Sequence, residues 1–279
     1  MTIPVDPDPD PAELVQFYDD AYTQHTLAEG ERYARWRALG AVGKADHVIA
    51  LCARAGIWAV ADQAQTDKTG CEMGGGPTST LEIGCGDGAL LGELHARGFG
   101  GRLAGVEITQ AAVDIARERA ARSGIDSVQL YDGVNLPTAD GAYDLGILSH
   151  VLEHVPDPPA LLAEAARACR AVVIEVPLEV NVSARRASKR EHAHEVGHLQ
   201  RLDRDGAREI VAHAGLRVAG ELEDPLPLAT QTFFADNAPA RARATAKWAL
   251  RTGLHAAAPG LARRLFTVHY ACLCVAPSA

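Results

Sequence analysis

Leu81-Glu82-Ile83-Gly84-Cys85-Gly86-Asp87-Gly88 reads as a strand that runs into three alternate glycines and then a helix. Glycines at such a junction reach backbone angles that other residues resist, and they let a ligand approach the main chain closely. Several nucleotide-binding folds use a turn of this kind, and a turn without ligand is the competing reading. The spacing narrows the choice. The sixth position of the dinucleotide fingerprint Gly-x-Gly-x-x-Gly is Ala89 here, so a pyrophosphate cradle is disfavoured against a small adenosine ligand.

Downstream of the turn, short apolar runs alternate with helical segments. Strands are predicted at Thr80 to Ile83, Leu103 to Ile108, Val128 to Tyr131, Tyr143 to Leu148 and Ala171 to Val176, with further strands at Leu216 to Leu222 and Phe266 to Val275. The segments Ala89 to Arg97, Gln110 to Ser123 and Pro158 to Arg170 have helical composition, and the alternation implies a parallel sheet covered on both faces. Glu107 ends the second strand about twenty residues after the glycines, where an acid in a doubly wound sheet accepts hydrogen bonds from ribose hydroxyls. Asp132 ends the third, where a carboxylate can receive an adenine amino group. Pro239 to Arg264, rich in Ala and Arg, reads as an inserted helix or helix pair at about 239–264.

Upstream the pattern differs. Met1 to Pro11 alternates Pro with Asp and lacks the apolar surface to offset its ordering entropy, so residues 1–11 are expected to form a disordered tail. Apolar and aromatic positions then recur at helical spacing from Leu14 through Tyr18, Tyr22, Tyr33 and Trp36 to Val48 and Cys52, giving a helical segment over residues 12–64. A Gly-rich polar stretch over residues 65–79 is the linker into the main domain, residues 80–279.

The chain has 279 residues, 36 acidic against 27 basic, for a net charge of −9, which disfavours nucleic acid as a partner. With 47% hydrophobic and 23% charged residues, collagen-like, coiled-coil and wholly disordered chains are excluded. The six cysteines show no repeated pair spacing and are read as reduced thiols. No stretch approaches a membrane span or a secretory signal, so a cytoplasmic protein is expected.

The blocks Leu81 to Gly88, Val106-Glu107, Tyr131-Asp132-Gly133 with Leu136-Pro137, and Tyr143-Asp144-Leu145 running into Ser149-His150-Val151-Leu152-Glu153-His154-Val155 resemble, in order, those of the class I S-adenosylmethionine-dependent methyltransferases. The resemblance covers roughly Ser79 to Leu222, and the Val-Leu-Glu-His-Val phrase is shared with the quinone-type members. It implies an α/β fold with a Rossmann-like, seven-stranded, doubly wound sheet whose last strand is antiparallel, under an N-terminal helical lid. It also implies S-adenosyl-L-methionine as cofactor and S-adenosyl-L-homocysteine as product. Glu82 with the loop Gly84, Cys85, Gly86, Asp87 and Gly88 would hold the amino acid part, Glu107 with Ile108 the ribose, and Asp132 with Gly133 the adenine, with Ser149 also placed at the cofactor.

The methyl sulfonium is already electrophilic, so the protein mainly has to align acceptor, methyl and sulfur and exclude water. A base is needed most when the acceptor is a hydroxyl or a protonated amine. His150, after the fourth strand, is the first candidate; main-chain hydrogen bonding is its alternative role. His192 and His194, in a loop expected over the carboxyl edge, are the other catalytic candidates. Tyr18 and Tyr22, one helical turn apart, are expected at the lid, with His154 and His198 near the acceptor. His194-Glu195-Val196-Gly197-His198 is a literal His-Glu-x-x-His, whose helical form would bind zinc and give a hydrolase. Gly197 interrupts that helix and no third ligand follows at a familiar interval, so no metal is expected. The sequence reading is therefore methyl transfer to a small-molecule acceptor at O, N or C. Its alternatives are an RNA or protein methyltransferase, a zinc hydrolase and a noncatalytic cofactor-binding protein. No membrane partner is expected, and a homo-oligomer is left open.

Overall fold

The computed structural model describes residues 2–4, 11–23, 26–56 and 76–277. In chain order the elements are β1 (Thr2–Pro4), α1 (Pro11–Thr23), α2 (Leu27–Ala55), β2 (Ser79–Ile83), α3 (Ala89–Ala96), β3 (Arg102–Glu107), α4 (Gln110–Ser123), β4 (Ser127–Leu130) and β5 (Tyr143–Ser149). They continue with α5 (Pro158–Ala168), β6 (Cys169–Pro177), α6 (Ala187–Glu195), β7 (Gln200–Leu202), α7 (Arg204–His213), β8 (Arg217–Asp224), α8 (Leu228–Thr232), α9 (Ala238–Ala257), α10 (Pro259–Leu265) and β9 (His269–Val275).

Seven strands form one sheet in the order β4-β3-β2-β5-β6-β9-β8. Neighbours are parallel except at β9, which is antiparallel to both β6 and β8. This is the seven-stranded, doubly wound sheet with a reversed last strand that the sequence implied. The chain builds outward from β2 to β3 and β4, then returns to the other side of β2 with β5. That reversal opens a crevice at the carboxyl ends of β2 and β5, where open α/β sheets bind ligands. The reversed β9 starts at the same edge, with His269 opposite Pro177 and Ala271 opposite Glu175.

Both faces of the sheet are covered. In β6 every residue except Arg170 is buried, as expected of a central strand between two helical layers. On one face Leu148, Ile174, Leu161, Leu162, Ile210 and Val211 belong to a core shared with α5 and α7. On the other, Ala41, Ala45, Val48, Leu51 and Cys52 form one stripe of α2 and pack with Leu91, Leu145, Ile147 and Leu273. Thus α2 is part of the sheet's helical layer, and α1 lies over the crevice, with Tyr22 against Gly86. Thr26 and Glu29 form a capping box at the start of α2, and Gly56 ends it at φ 58°.

Four sequence expectations concern the connecting segments. Within the expected tail, Thr2–Pro4 pair antiparallel with Leu202–Gln200, satisfying the open side of β7, and Pro11 already opens α1, while residues 1 and 5–10 lie outside the described residues. Residues 57–75, with most of the expected linker, also lie outside them. The expected insertion is a helix pair, α9 and α10. The segment expected as a loop around His192 and His194 is instead the short helix α6, because no Gly or Pro interrupts it before Gly197.

Candidate functional site

Gly84, Gly86 and Gly88 all take left-handed conformations, at φ 72°, 52° and 72°. A Cβ on Gly84 would lie 2.7 Å from Val151 Cγ2, and one on Gly86 would lie 2.7 Å from the Tyr22 hydroxyl, so the turn excludes side chains by backbone angle and by space. Tyr22, from α1, therefore sits directly over the glycine turn. Cys85 points the other way: its thiol fills the space over Gly105, where a Cβ would approach Sγ to 2.6 Å. Burial holds that thiol well above its ordinary pKa, so it is a packing group. Asp87 likewise faces the protein. Its carboxylate is 2.9 Å from Arg37 Nε and 3.2 Å from Arg119 Nη2, which ties α2 and α4 to the turn.

Glu107, at the end of β3, accepts hydrogen bonds from the Gly86 N–H at 2.9 Å and the Ile108 N–H at 2.7 Å. Burial raises its pKa above the ordinary carboxylate range, against the lowering effect of those backbone donors. Glu82 is buried in β2 and its Oε2 has no partner. Burial pushes its pKa to about 8, opposed by the Lys44 charge and reinforced by Asp87 and Glu107. Asp132 is exposed and oriented by the Asn135 side chain and by the N–H groups of Asn135 and Val134, which hold its pKa low. Gly133, at φ 83°, stands against Ile108, whose Cγ2 would be 3.5 Å from an added Cβ. At this edge of the sheet two further buried hydroxyls lack partners, Thr109 Oγ1 beyond β3 and Ser149 Oγ at the end of β5. With Glu82, they place unsatisfied polar atoms near the carboxyl ends of β2, β3 and β5.

His150 follows β5 at φ 60°, an angle few residues other than glycine adopt. Its main-chain N–H donates to Glu175 O at 2.8 Å. Its Nδ1 is 3.0 Å from Glu153 Oε1, and its Nε2 is 3.2 Å from His269 Nδ1 and 3.5 Å from Glu175 Oε1. Burial and Lys44 oppose charge on His150, but the bonds to Glu153 and Glu175 outweigh them and raise its pKa. Burial and the neighbouring His150 lower that of His269. Glu175 is held well below its ordinary value because bonds to His150, His269 and His47 outweigh burial. His47, on α2, lies between Glu175 and Asp224, and those two carboxylates overcome burial to raise its pKa to about 9. Glu153 also overcomes burial, through its bond to His150 and the charges of the histidines around it, and falls to about 2.

His154 meets α1. Its Nδ1 is 2.9 Å from the Tyr18 hydroxyl, which donates to Gly197 O at 3.0 Å. Burial lowers its pKa to about 4. The His198 ring packs against it at 4.8 Å, and His198 Nδ1 is 2.8 Å from Glu179. The structure thus brings together Tyr18, His154 and His198 in one contact group and joins His150 to it through Glu153. It does not bring His192 and His194 there: both are exposed on α6, where His192 pairs with Glu195 at 3.7 Å. Because α6 ends at Glu195, His194 and His198 share no helical face.

Sequence reasoning missed His47, Glu175, Asp224 and His269. Glu175 left a signal, a lone carboxylate inside the apolar run Val172-Val173-Ile174-Glu175-Val176. A buried acid there requires partners. The others become neighbours only through the docking of α2 and the reversal of β9.

Residues 81–172 match the family model described as a methyltransferase domain. The chain carries a methyltransferase domain. The chain is 41% identical over 93 residues to an uncharacterized 37.1 kDa protein in transposon TN4556 of Streptomyces fradiae, an alignment covering 33% of this chain and 27% of that one. It is 33% identical over 95 residues to ajmaline N-methyltransferase of Rauvolfia serpentina, covering 33% of this chain and 32% of the relative. The alignments to these curated relatives thus span about a third of their length or less. In structure the chain is similar to magnesium protoporphyrin IX methyltransferase of Synechocystis PCC 6803, solved with bound S-adenosylhomocysteine. That similarity has a TM-score of 0.55 and 14% identity, and covers 96% of this chain and 100% of that one. The fold is that of the class I S-adenosylmethionine-dependent methyltransferases. Among the described residues no helix is long and apolar enough to cross a membrane.

Proposed function

We propose that this chain transfers the methyl group of S-adenosylmethionine to a small-molecule acceptor at oxygen, nitrogen or carbon. The observation that carries this reading is the left-handed glycine turn closed onto Glu107 through the Gly86 N–H, inside the span that matches the methyltransferase domain. The residues fit the cofactor. Glu82 Oε2, Thr109 Oγ1 and Ser149 Oγ are buried without partners, and a buried polar atom left unsatisfied by the protein calls for one from a ligand or water.

S-adenosylmethionine supplies an electrophilic methyl carbon, so the work of the protein is alignment and exclusion of water. Glu82 and the glycine loop hold the amino acid part, and the unpaired Oε2 is the acceptor for its ammonium. Glu107 takes the ribose hydroxyls. Each carboxylate oxygen has more than one lone pair, so the Gly86 and Ile108 N–H groups orient Glu107 without exhausting it. Asp132, held in place by Asn135, serves the adenine with Gly133 and Ile108. Tyr18 and Tyr22 cover the crevice from α1 and keep water from the acceptor. When the acceptor is a hydroxyl or a protonated amine, its proton passes to the His150, His269 and Glu175 cluster. The exposed positions of His192 and His194 favour His150 over them for this role.

The reading is tested by incubating the full chain with methyl-labelled S-adenosylmethionine and pools of candidate metabolites, with mass spectrometry locating the label. Transfer to a small molecule supports it. Transfer only to RNA or protein would replace the acceptor class.

A further inference from the structure

Three side chains at the carboxyl edge converge on one point. His150 Nε2, His269 Nδ1 and Glu175 Oε1 are separated by 3.2, 3.2 and 3.5 Å. Zinc binds imidazole nitrogen and carboxylate oxygen at about 2.0 to 2.2 Å, which at a tetrahedral angle sets ligand atoms about 3.3 to 3.6 Å apart. The observed triangle is close to that face. Glu153, Glu175 and the two rings also explain one another's state. A carboxylate only accepts, so His150 Nδ1 carries the proton donated to Glu153 Oε1, and Nε2 is the atom that His150 directs into the triangle.

We propose that His150, Glu175 and His269 form a binding site for one divalent transition metal ion, with zinc as its type, that leaves a fourth position open. The shell around the triangle is the kind that metal ligands need. The Glu153 carboxylate orients His150, the arrangement that fixes tautomer and raises ligand basicity. The second oxygen of Glu175 lies 3.3 Å from His47 Nδ1, and His47 Nε2 in turn is 3.2 Å from Asp224. Solvent reaches the triangle at its two rings, because the His150 and His269 side chains are 21% and 15% exposed while Glu175 is 3% exposed. The neighbouring group of Glu153, His154 and His198 is wider, with His154 Nε2 4.0 Å from Glu153 Oε1, and His154 Nδ1 is engaged by Tyr18 and Gly197. The site also differs from the His-Glu-x-x-His stretch, and it departs from the metal-free expectation drawn from sequence. It stands on geometry and does not depend on methyl transfer. If transfer occurs, the open position would take an acceptor oxygen or nitrogen and make it easier to deprotonate, in place of the proton shared by the three atoms.

The test uses the full chain, stripped with a chelator and titrated with zinc against a chromophoric competitor, then with cobalt(II) under an absorption spectrometer. One zinc per chain at submicromolar affinity is expected, with the intense visible bands of tetrahedral cobalt. His269→Ala should weaken binding by roughly a hundredfold or more, and Glu153→Gln by roughly ten- to a hundredfold, as for loss of an outer partner. His194→Ala should leave it unchanged. His269→Cys keeps a ligand at the position and should add a thiolate-to-cobalt charge-transfer band absent from the wild type, which covers the case in which the alanine variant fails to fold. Failure of the wild type to bind zinc at micromolar concentration would overturn the site. So would full binding retained in folded His269→Ala, or loss of binding in His194→Ala.

Discussion

Replacing Glu82 with Gln removes a buried carboxyl with almost no change in volume, and the structure sets the sign and size of the effect. Burial raises the pKa of Glu82 from an ordinary 4.5 to about 8 in the folded chain. Between those values the native state holds a proton that the unfolded chain has lost. Stability contributed by the neutral carboxyl is therefore present at low pH and lost as pH rises toward the folded pKa. At about 1.4 kcal/mol per pH unit the loss reaches about 5 kcal/mol above pH 8. Glu82→Gln is neutral throughout and lacks this slope. Urea unfolding followed by circular dichroism should show the variant gaining on the wild type by several kcal/mol between pH 5 and 8.5. Parallel stability curves across that range would refute the buried neutral carboxyl. The same residue predicts that cofactor binding at pH 7 releases about one proton, as the ligand ammonium ionises Glu82. Calorimetry in buffers of different ionisation enthalpy should detect that release in the wild type and not in the variant.

Glu107→Ala removes an acceptor for charge-assisted bonds worth about 1.5 to 3 kcal/mol, so S-adenosylmethionine affinity should fall roughly ten- to a hundredfold by calorimetry. Unchanged affinity in a folded variant would remove the ribose assignment. Tyr18→Phe deletes the hydroxyl that donates to Gly197 O, a net loss of about 0.5 to 1.5 kcal/mol, and hydrogen exchange in α1 should accelerate while β5 and β6 stay protected. His150→Asn keeps a residue that tolerates φ 60° and removes the imidazole. For a hydroxyl acceptor, turnover should fall by ~10² to 10⁴ with cofactor affinity retained. Equal loss of cofactor binding would instead make His150 structural.

The sheet was legible because its signals are local. Leu81 to Gly88 combines a buried strand with glycines that the structure holds at positive φ, and Glu107 and Asp132 follow strands of the expected length. The period of α2 was also legible, but periodicity reports an apolar face without saying what it packs on. The docking of that face against Leu145, Ile147 and Leu273 therefore came only from the structure. The same limit hid the cluster around Glu175. His47, His150 and His269 are separated by 103 and 119 residues, and they meet because α2 lies on the sheet and β9 runs backward into the carboxyl edge. His192 and His194 drew attention through spacing alone, and α6 leaves both exposed. Short elements such as β7 and α6 lack enough residues for either period to register.

The most direct test of the central claim is a single-turnover reaction of the full chain with methyl-labelled S-adenosylmethionine and a metabolite extract. Labelled small-molecule product and S-adenosylhomocysteine are measured together by mass spectrometry. The proposed function predicts one labelled methyl group in a small molecule for each S-adenosylhomocysteine formed. Tight binding of S-adenosylmethionine with no methyl leaving it under any acceptor pool would contradict methyl transfer, and absence of binding would contradict the cofactor assignment itself.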